Sequence, residues 1–231
     1  MTAVTVTHRP AGTSAALALA LGLVTLSLLP RTGTVNHVLV VEGGGLLLLL
    51  VGFFLRGRGL AGRIVGTILS ATGVGFVLLA LGLLIAGTSR HSVLVETAPG
   101  LVGLLLLAFG VLPLRGTGSR GLVTVGTALL FVSVLAAGLF RAPIGTLLVA
   151  GALTVVAWDV GENAISIGEH LGTAAETRPI EATHTAGSLL VAGATVGMGF
   201  LLVGVGTAGL SLVQLALLLV AILALTVALH G

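Results

Sequence analysis

The chain contains no cysteine, no lysine and no tyrosine, and Trp158 is its one tryptophan. Without cysteine there is no disulfide, thiolate nucleophile, iron–sulfur cluster or cysteine-bound zinc, so a metal would have to be held by histidine and carboxylates. With aromatic residues at 3%, the interfacial aromatic belt of many membrane proteins is nearly missing, and arginine is left to anchor the chain at the interface. Charge is scarce as well: ten basic and seven acidic residues among 231, set against 56% hydrophobic residues. A mean hydropathy of +1.24 excludes a water-soluble domain, because no polar surface can be built from such a composition. The pI near 11.4 rests on a surplus of three charges and on guanidinium groups that do not deprotonate. No basic patch is interleaved with aromatics, so nothing points to a nucleic-acid partner.

What the chain does have is long apolar runs of about 17 to 26 residues, enough to cross a hydrocarbon core roughly 30 Å thick. Bounded by Arg, Pro and Gly clusters, these runs predict an all-α, polytopic integral membrane protein with about eight helices. Their approximate spans are 13–29, 37–55, 61–87, 94–113, 120–140, 143–167, 184–206 and 208–229, with a polar connector over 159–183. The first run follows Arg9 as a signal peptide's hydrophobic region would, but no small-residue cleavage site precedes Pro30 and Arg31, and it reads as a retained helix. The shortness of that run, and the mere Gly206 to Gly209 gap before the last one, leave six or seven spans as alternatives. Arginine favours cytoplasmic loops. With the N-terminus inside, Arg9, Arg56, Arg58, Arg63, Arg115, Arg120 and Arg178 fall inside and Arg31, Arg90 and Arg141 outside, which predicts a cell-membrane protein with both termini cytoplasmic.

Two inner connections, Leu55–Gly62 and Leu114–Gly121, share the string Leu-Arg-Gly-x-Gly-x-x-Gly. On the outer side His37 and Glu42 recur as His91 and Glu96 with the same spacing. A helical hairpin therefore reads as repeated in degenerate form. The Gly-x-Gly-x-x-Gly string of a dinucleotide site follows a strand and opens a helix; here it follows a membrane helix, and a tight turn explains it. The 36 glycines, many in small-xxx-small pairs within the spans, point to close helix packing. A third hairpin keeps Arg141 but replaces its Arg-Gly corner with Trp158-Asp159-Val160-Gly161-Glu162-Asn163.

The densest polar segment runs from Trp158 to His184. Asp159, Glu162, Ser166 and Glu169 share one helical face, flanked by Asn163 and His170, while Val160, Ile165, Ile167 and Leu171 form the other. Three readings stand: a solvated connector paired with Arg56, Arg58, Arg115 or Arg120; a docking surface for a soluble cytoplasmic partner; or an ion-handling site. No spacing matches a His-Glu-x-x-His helix or a di-metal carboxylate pair, so no metal or cofactor is expected. Glu42 and Glu96 read as helix-start carboxyl groups paired with the outer arginines, or as an external ion site. Ser188 lies one turn after His184, but no Gly-x-Ser-x-Gly context surrounds it, and no catalytic residue is assigned.

The stretch Ala157-Trp158-Asp159-Val160-Gly161-Glu162-Asn163-Ala164-Ile165-Ser166-Ile167-Gly168-Glu169-His170-Leu171-Gly172, through its Trp-Asp-x-Gly-Glu-Asn core, resembles an uncharacterised haloarchaeal family of multi-pass membrane proteins. The resemblance implies a haloarchaeal cell membrane and a gene neighbourhood with MoxR-type ATPases, transglutaminase-like proteins and von Willebrand-type domains. It implies no activity. The expectation is a non-enzymatic membrane component of a larger assembly, docking through Trp158, Asp159, Glu162 and Glu169; the alternative is a small secondary transporter or channel.

Overall fold

The computed structural model describes residues 9–29, 33–113, 118–171 and 177–204. Among these the chain is helical throughout: α1 (Gly12–Leu28), α2 (Gly33–Leu55), α3 (Gly59–Gly87), α4 (His91–Val111), α5 (Arg120–Leu139), α6 (Ile144–Leu171) and α7 (Arg178–Gly204). The last six are long and apolar enough to cross a membrane, whereas α1, at 17 residues, is shorter. The eighth run expected at 208–229 lies outside the described residues. The chain divides into two compact units, 1–196 and 197–231, and the polar groups on α6 and on α7 up to Thr195 belong to the first.

Three boundaries differ from expectation for physical reasons. α2 begins at Gly33, before the polar Asn36 and His37, because a helix start tolerates residues that hydropathy assigns to a loop. α6 continues to Leu171, so residues 159–171 of the expected connector are helix. α7 begins at Arg178 with Pro179 in its first turn, where a missing N–H costs nothing.

The tightest packing is backbone against backbone. Between α2 and α3, a Cβ added at Gly45 would stand 2.8 Å from the Gly73 carbonyl oxygen, and one at Gly52 2.6 Å from that of Gly66. These two levels make the pair antiparallel. Between α4 and α5, Gly103 and Gly126 approach in the same way, with a Gly103 Cβ 2.5 Å from the Gly126 oxygen. In lipid, where burying apolar surface drives nothing, such proximity supplies the dispersion contacts that hold helices together. α1 packs mainly against α6 and touches α2, α4 and α5. The core between them holds Leu101, Leu104, Leu107 and Leu130, all at most 1% exposed. Outward-facing Ile64, Ile68, Leu78, Leu79 and Ile85 on α3 are exposed, as expected of a lipid-facing stripe.

One end of the bundle carries the start of α1, the α2–α3 turn, the start of α5, the end of α6 and the start of α7. It therefore gathers Arg9, Arg56, Arg58, Arg63, Arg120 and Arg178 and is here called the basic end. At the opposite end Arg141 takes φ 69° in the α5–α6 turn, the left-handed position usually given to glycine. The Ala142 amide bonds the Ala137 carbonyl across it at 2.9 Å.

Candidate functional site

The basic end is built from three contacts between distant parts of the chain. At the start of α5, Arg120 reaches across to α6, with Nη1 3.2 Å from Glu162 Oε2 and Nη2 2.8 Å from Glu169 Oε2. The two acids stand two turns apart, so one guanidinium fork spans both. Arg120 is 49% exposed, so water weakens the clamp energetically; it fixes direction more than stability. Of the acidic face expected to dock a soluble partner, Glu162 and Glu169 are thus already occupied from within the chain.

One turn further into the bundle, Asp159 gathers two residues of α7. Ser188 Oγ donates to Asp159 Oδ2 at 2.5 Å, and His184 Nε2 lies 2.9 Å from the same oxygen, off the axis of a directed hydrogen bond. Ser188 also donates to the His184 carbonyl at 3.1 Å. A nucleophile would need the histidine between serine and acid; here the acid is in the middle, so the His184–Ser188 pairing does not make a hydrolase centre. The same three residues line a cleft of about 570 Å³ between α6 and α7, with Trp158, Val155 and Val191 among its walls.

The third contact caps α1. Its N-cap residue is Ala11, which has no capping side chain. The role falls to Glu181 on α7: its Oε2 accepts from Ser14 N at 2.6 Å and Ser14 Oγ at 2.9 Å, and its Oε1 accepts from Thr177 Oγ1 at 2.7 Å. Glu181 is 1% exposed and Ser14 fully buried. The Ala11 amide meanwhile bonds the Ala164 carbonyl of α6 at 2.8 Å. Sequence reasoning placed Glu181 in a loop and gave Ser14 no role; the one available signal was a helix start lacking a Ser, Thr, Asp or Asn cap.

Arg56, 8% exposed, closes this end from α2, its Nε donating to the Gly52 carbonyl at 3.3 Å and its guanidinium 6.0 Å from the Phe53 ring. Burial, and then the Arg9 guanidinium, hold it below the usual arginine value. Asn163 keeps a buried Nδ2 without a partner, and His170 is exposed. Among the described residues no cluster of three or more His, Asp or Glu forms a metal cage.

The far side of the bundle differs from expectation. Because α2 starts at Gly33, Glu42 lies about 13 Å along the axis from that start, near mid-span rather than one turn in. It is fully buried, and neither carboxyl oxygen has a hydrogen-bond partner. Among the described residues neither Arg90 nor Arg141 pairs with Glu42. Glu96 lies nearer its helix start, is 7% exposed, and stands one turn before Pro99, which interrupts the hydrogen-bond ladder of α4.

Among known families, the family of unknown function DUF7519 matches residues 67–226, a stretch that includes Glu96, Arg120 and the whole of α6 and α7. No curated protein and no solved structure matches the chain.

Proposed function

The chain belongs to DUF7519, and from that premise we propose that it is a non-enzymatic integral membrane component of a larger assembly, with its basic end and both termini on the cytoplasmic side. The observation that carries this reading is where polarity sits. Among the described residues every ion pair lies at the basic end, where distant helices are cross-tied into a fixed platform. Internal pairing with Arg120 occupies Glu162 and Glu169 and leaves Arg58, Arg63 and Arg178 exposed, so the surface offered to a soluble partner is cationic and fits an acidic one. The arginine bias supports the orientation. The resemblance of the Trp158–Asn163 segment to a haloarchaeal family supports an archaeal cell membrane and a partner from a neighbouring ATPase gene.

Affinity purification of the tagged protein from native membranes in mild detergent tests this. A stoichiometric soluble partner should be recovered, and Arg58→Glu, Arg63→Glu and Arg178→Glu together should lose it while insertion stays intact. Recovery unchanged by the three reversals would sink the reading.

A second reading, a small transporter, is favoured by one specific observation: a carboxyl group at mid-span is costly and is commonly functional, and Glu42 is that group. Pro99 adds an interrupted helix of the kind that transporter sites use. Ion or solute flux in liposomes that stops with Glu42→Gln would move the weight to it.

A further inference from the structure

The α6–α7 cleft goes beyond the assembly reading. Its volume of about 570 Å³ falls within the range of small-molecule sites, roughly 300–1,000 Å³. Its walls are mostly apolar, with Val155 and Val191 among those exposed on the bundle's outside, and both helices are of membrane-spanning length. The cleft therefore opens where lipid tails lie. One ionisable acid faces it: Asp159, whose side chain is 38% exposed. Unlike Glu162 and Glu169, Asp159 has no arginine; its contacts are the Ser188 hydroxyl and the His184 ring, both on Oδ2, which leaves Oδ1 open. A carboxylate at the wall of an apolar cleft, with no arginine against it, can take a further cationic donor as a cation-recognising pocket does.

We propose that this cleft binds an amphiphile bearing a primary ammonium group, its head donating to Asp159 Oδ1 and its hydrocarbon chain lying along Val155 and Val191. Ser188 and His184 act as positioning residues that hold the carboxylate towards the cleft. An alcohol of the same chain length fills the same apolar volume but brings no charge, and an anionic head meets repulsion from Asp159.

Trp158, on the cleft wall and 43% exposed, is the only tryptophan in the chain, so its fluorescence reports this place alone. The test uses the full-length protein in phosphatidylcholine nanodiscs, titrated with chain-brominated dodecylamine and with chain-brominated dodecanol. Quenching by the amine should saturate at about tenfold lower concentration than quenching by the alcohol, as one hydrogen bond to a charged group implies. Asp159→Asn should erase that preference. Gly187→Leu fills the cleft from a position where an added Cβ meets nothing within 4 Å, and should abolish saturable quenching by both probes without lowering the melting temperature. Equal quenching by amine and alcohol in the unaltered protein, or a preference that survives Asp159→Asn, would overturn the proposal. So would quenching that Gly187→Leu leaves untouched, or quenching that varies with protein concentration, which would mark a second copy as the occupant. Relief of the quench by unbrominated phosphatidylethanolamine would identify the bilayer's own headgroup as the source of the ammonium, and no relief would identify a free amine; either keeps the site.

Discussion

Replacing Glu181 with Ala should be the most damaging single change at the basic end. It removes the acceptor of three hydrogen bonds, two of them from Ser14, and strands a fully buried backbone N–H and a hydroxyl. Losing a helix cap costs about 1 kcal/mol, and each buried donor left without a partner adds about 1–3 kcal/mol. Together these give about 3–7 kcal/mol. Glu181→Gln keeps one carbonyl oxygen for Ser14 and should cost only about 1 kcal/mol. Ser14→Ala removes one donor, at a similar cost, while its amide remains bonded. The assay is reversible unfolding in mixed micelles of mild detergent and dodecyl sulfate, followed by circular dichroism, for the three variants and the Ser14→Ala/Glu181→Ala double. Residues in contact typically show coupling of about 0.5–3 kcal/mol. Additive effects, or Glu181→Ala within error of Glu181→Gln, would refute capping of α1 from α7.

Four further outcomes follow from the geometry. Glu42→Leu should raise stability by about 1–3 kcal/mol, because it removes a buried polar group that has no partner; a destabilised protein in the same unfolding assay would show that its oxygens are satisfied. Gly45→Val should prevent α2 from approaching α3 and lower the yield of folded protein in size-exclusion chromatography, whereas Gly82→Ala on the open side of α3 should be neutral or better by up to about 1 kcal/mol. Arg141→Gly should stabilise by about 0.5–1 kcal/mol, since glycine takes a positive φ without strain. Arg120→Glu should destabilise through repulsion from Glu162 and Glu169, and Glu162→Lys with Glu169→Lys should restore the melting temperature, with both effects shrinking at high salt.

Six of the expected spans were legible because lipid imposes one rule: each crossing needs an uninterrupted apolar length with its backbone bonded internally. The site was half legible. Polar residues at the α6–α7 junction stood out against so apolar a chain, and Arg120 was among the foreseen partners of its acids. What hydropathy hid was polarity whose partner is far away in sequence. Glu181 looks like loop because two of its three donors belong to Ser14, 167 residues earlier. His184 and Ser188 showed their one-turn spacing, but the Asp159 carboxyl between them belongs to another helix. Glu42 was placed too shallow because Gly33 to Asn36 look like a turn until the helix that contains them is seen.

The clasp between α1 and α7 also sets an order on biosynthesis. α1 is synthesised before α6 and α7, yet its amide cap and its main packing surface lie on α7 and α6. At a translation rate of about 5–20 residues per second, Glu181 leaves the ribosome roughly ten to thirty seconds after Ser14. For that interval a short helix with an open N-terminus has to wait in the bilayer while α2–α3 and then α4–α5 assemble. Among the described helices α1 therefore completes its contacts only once α7 is made, and a chain cut short before α7 would leave the Ser14 amide without its carboxylate acceptor.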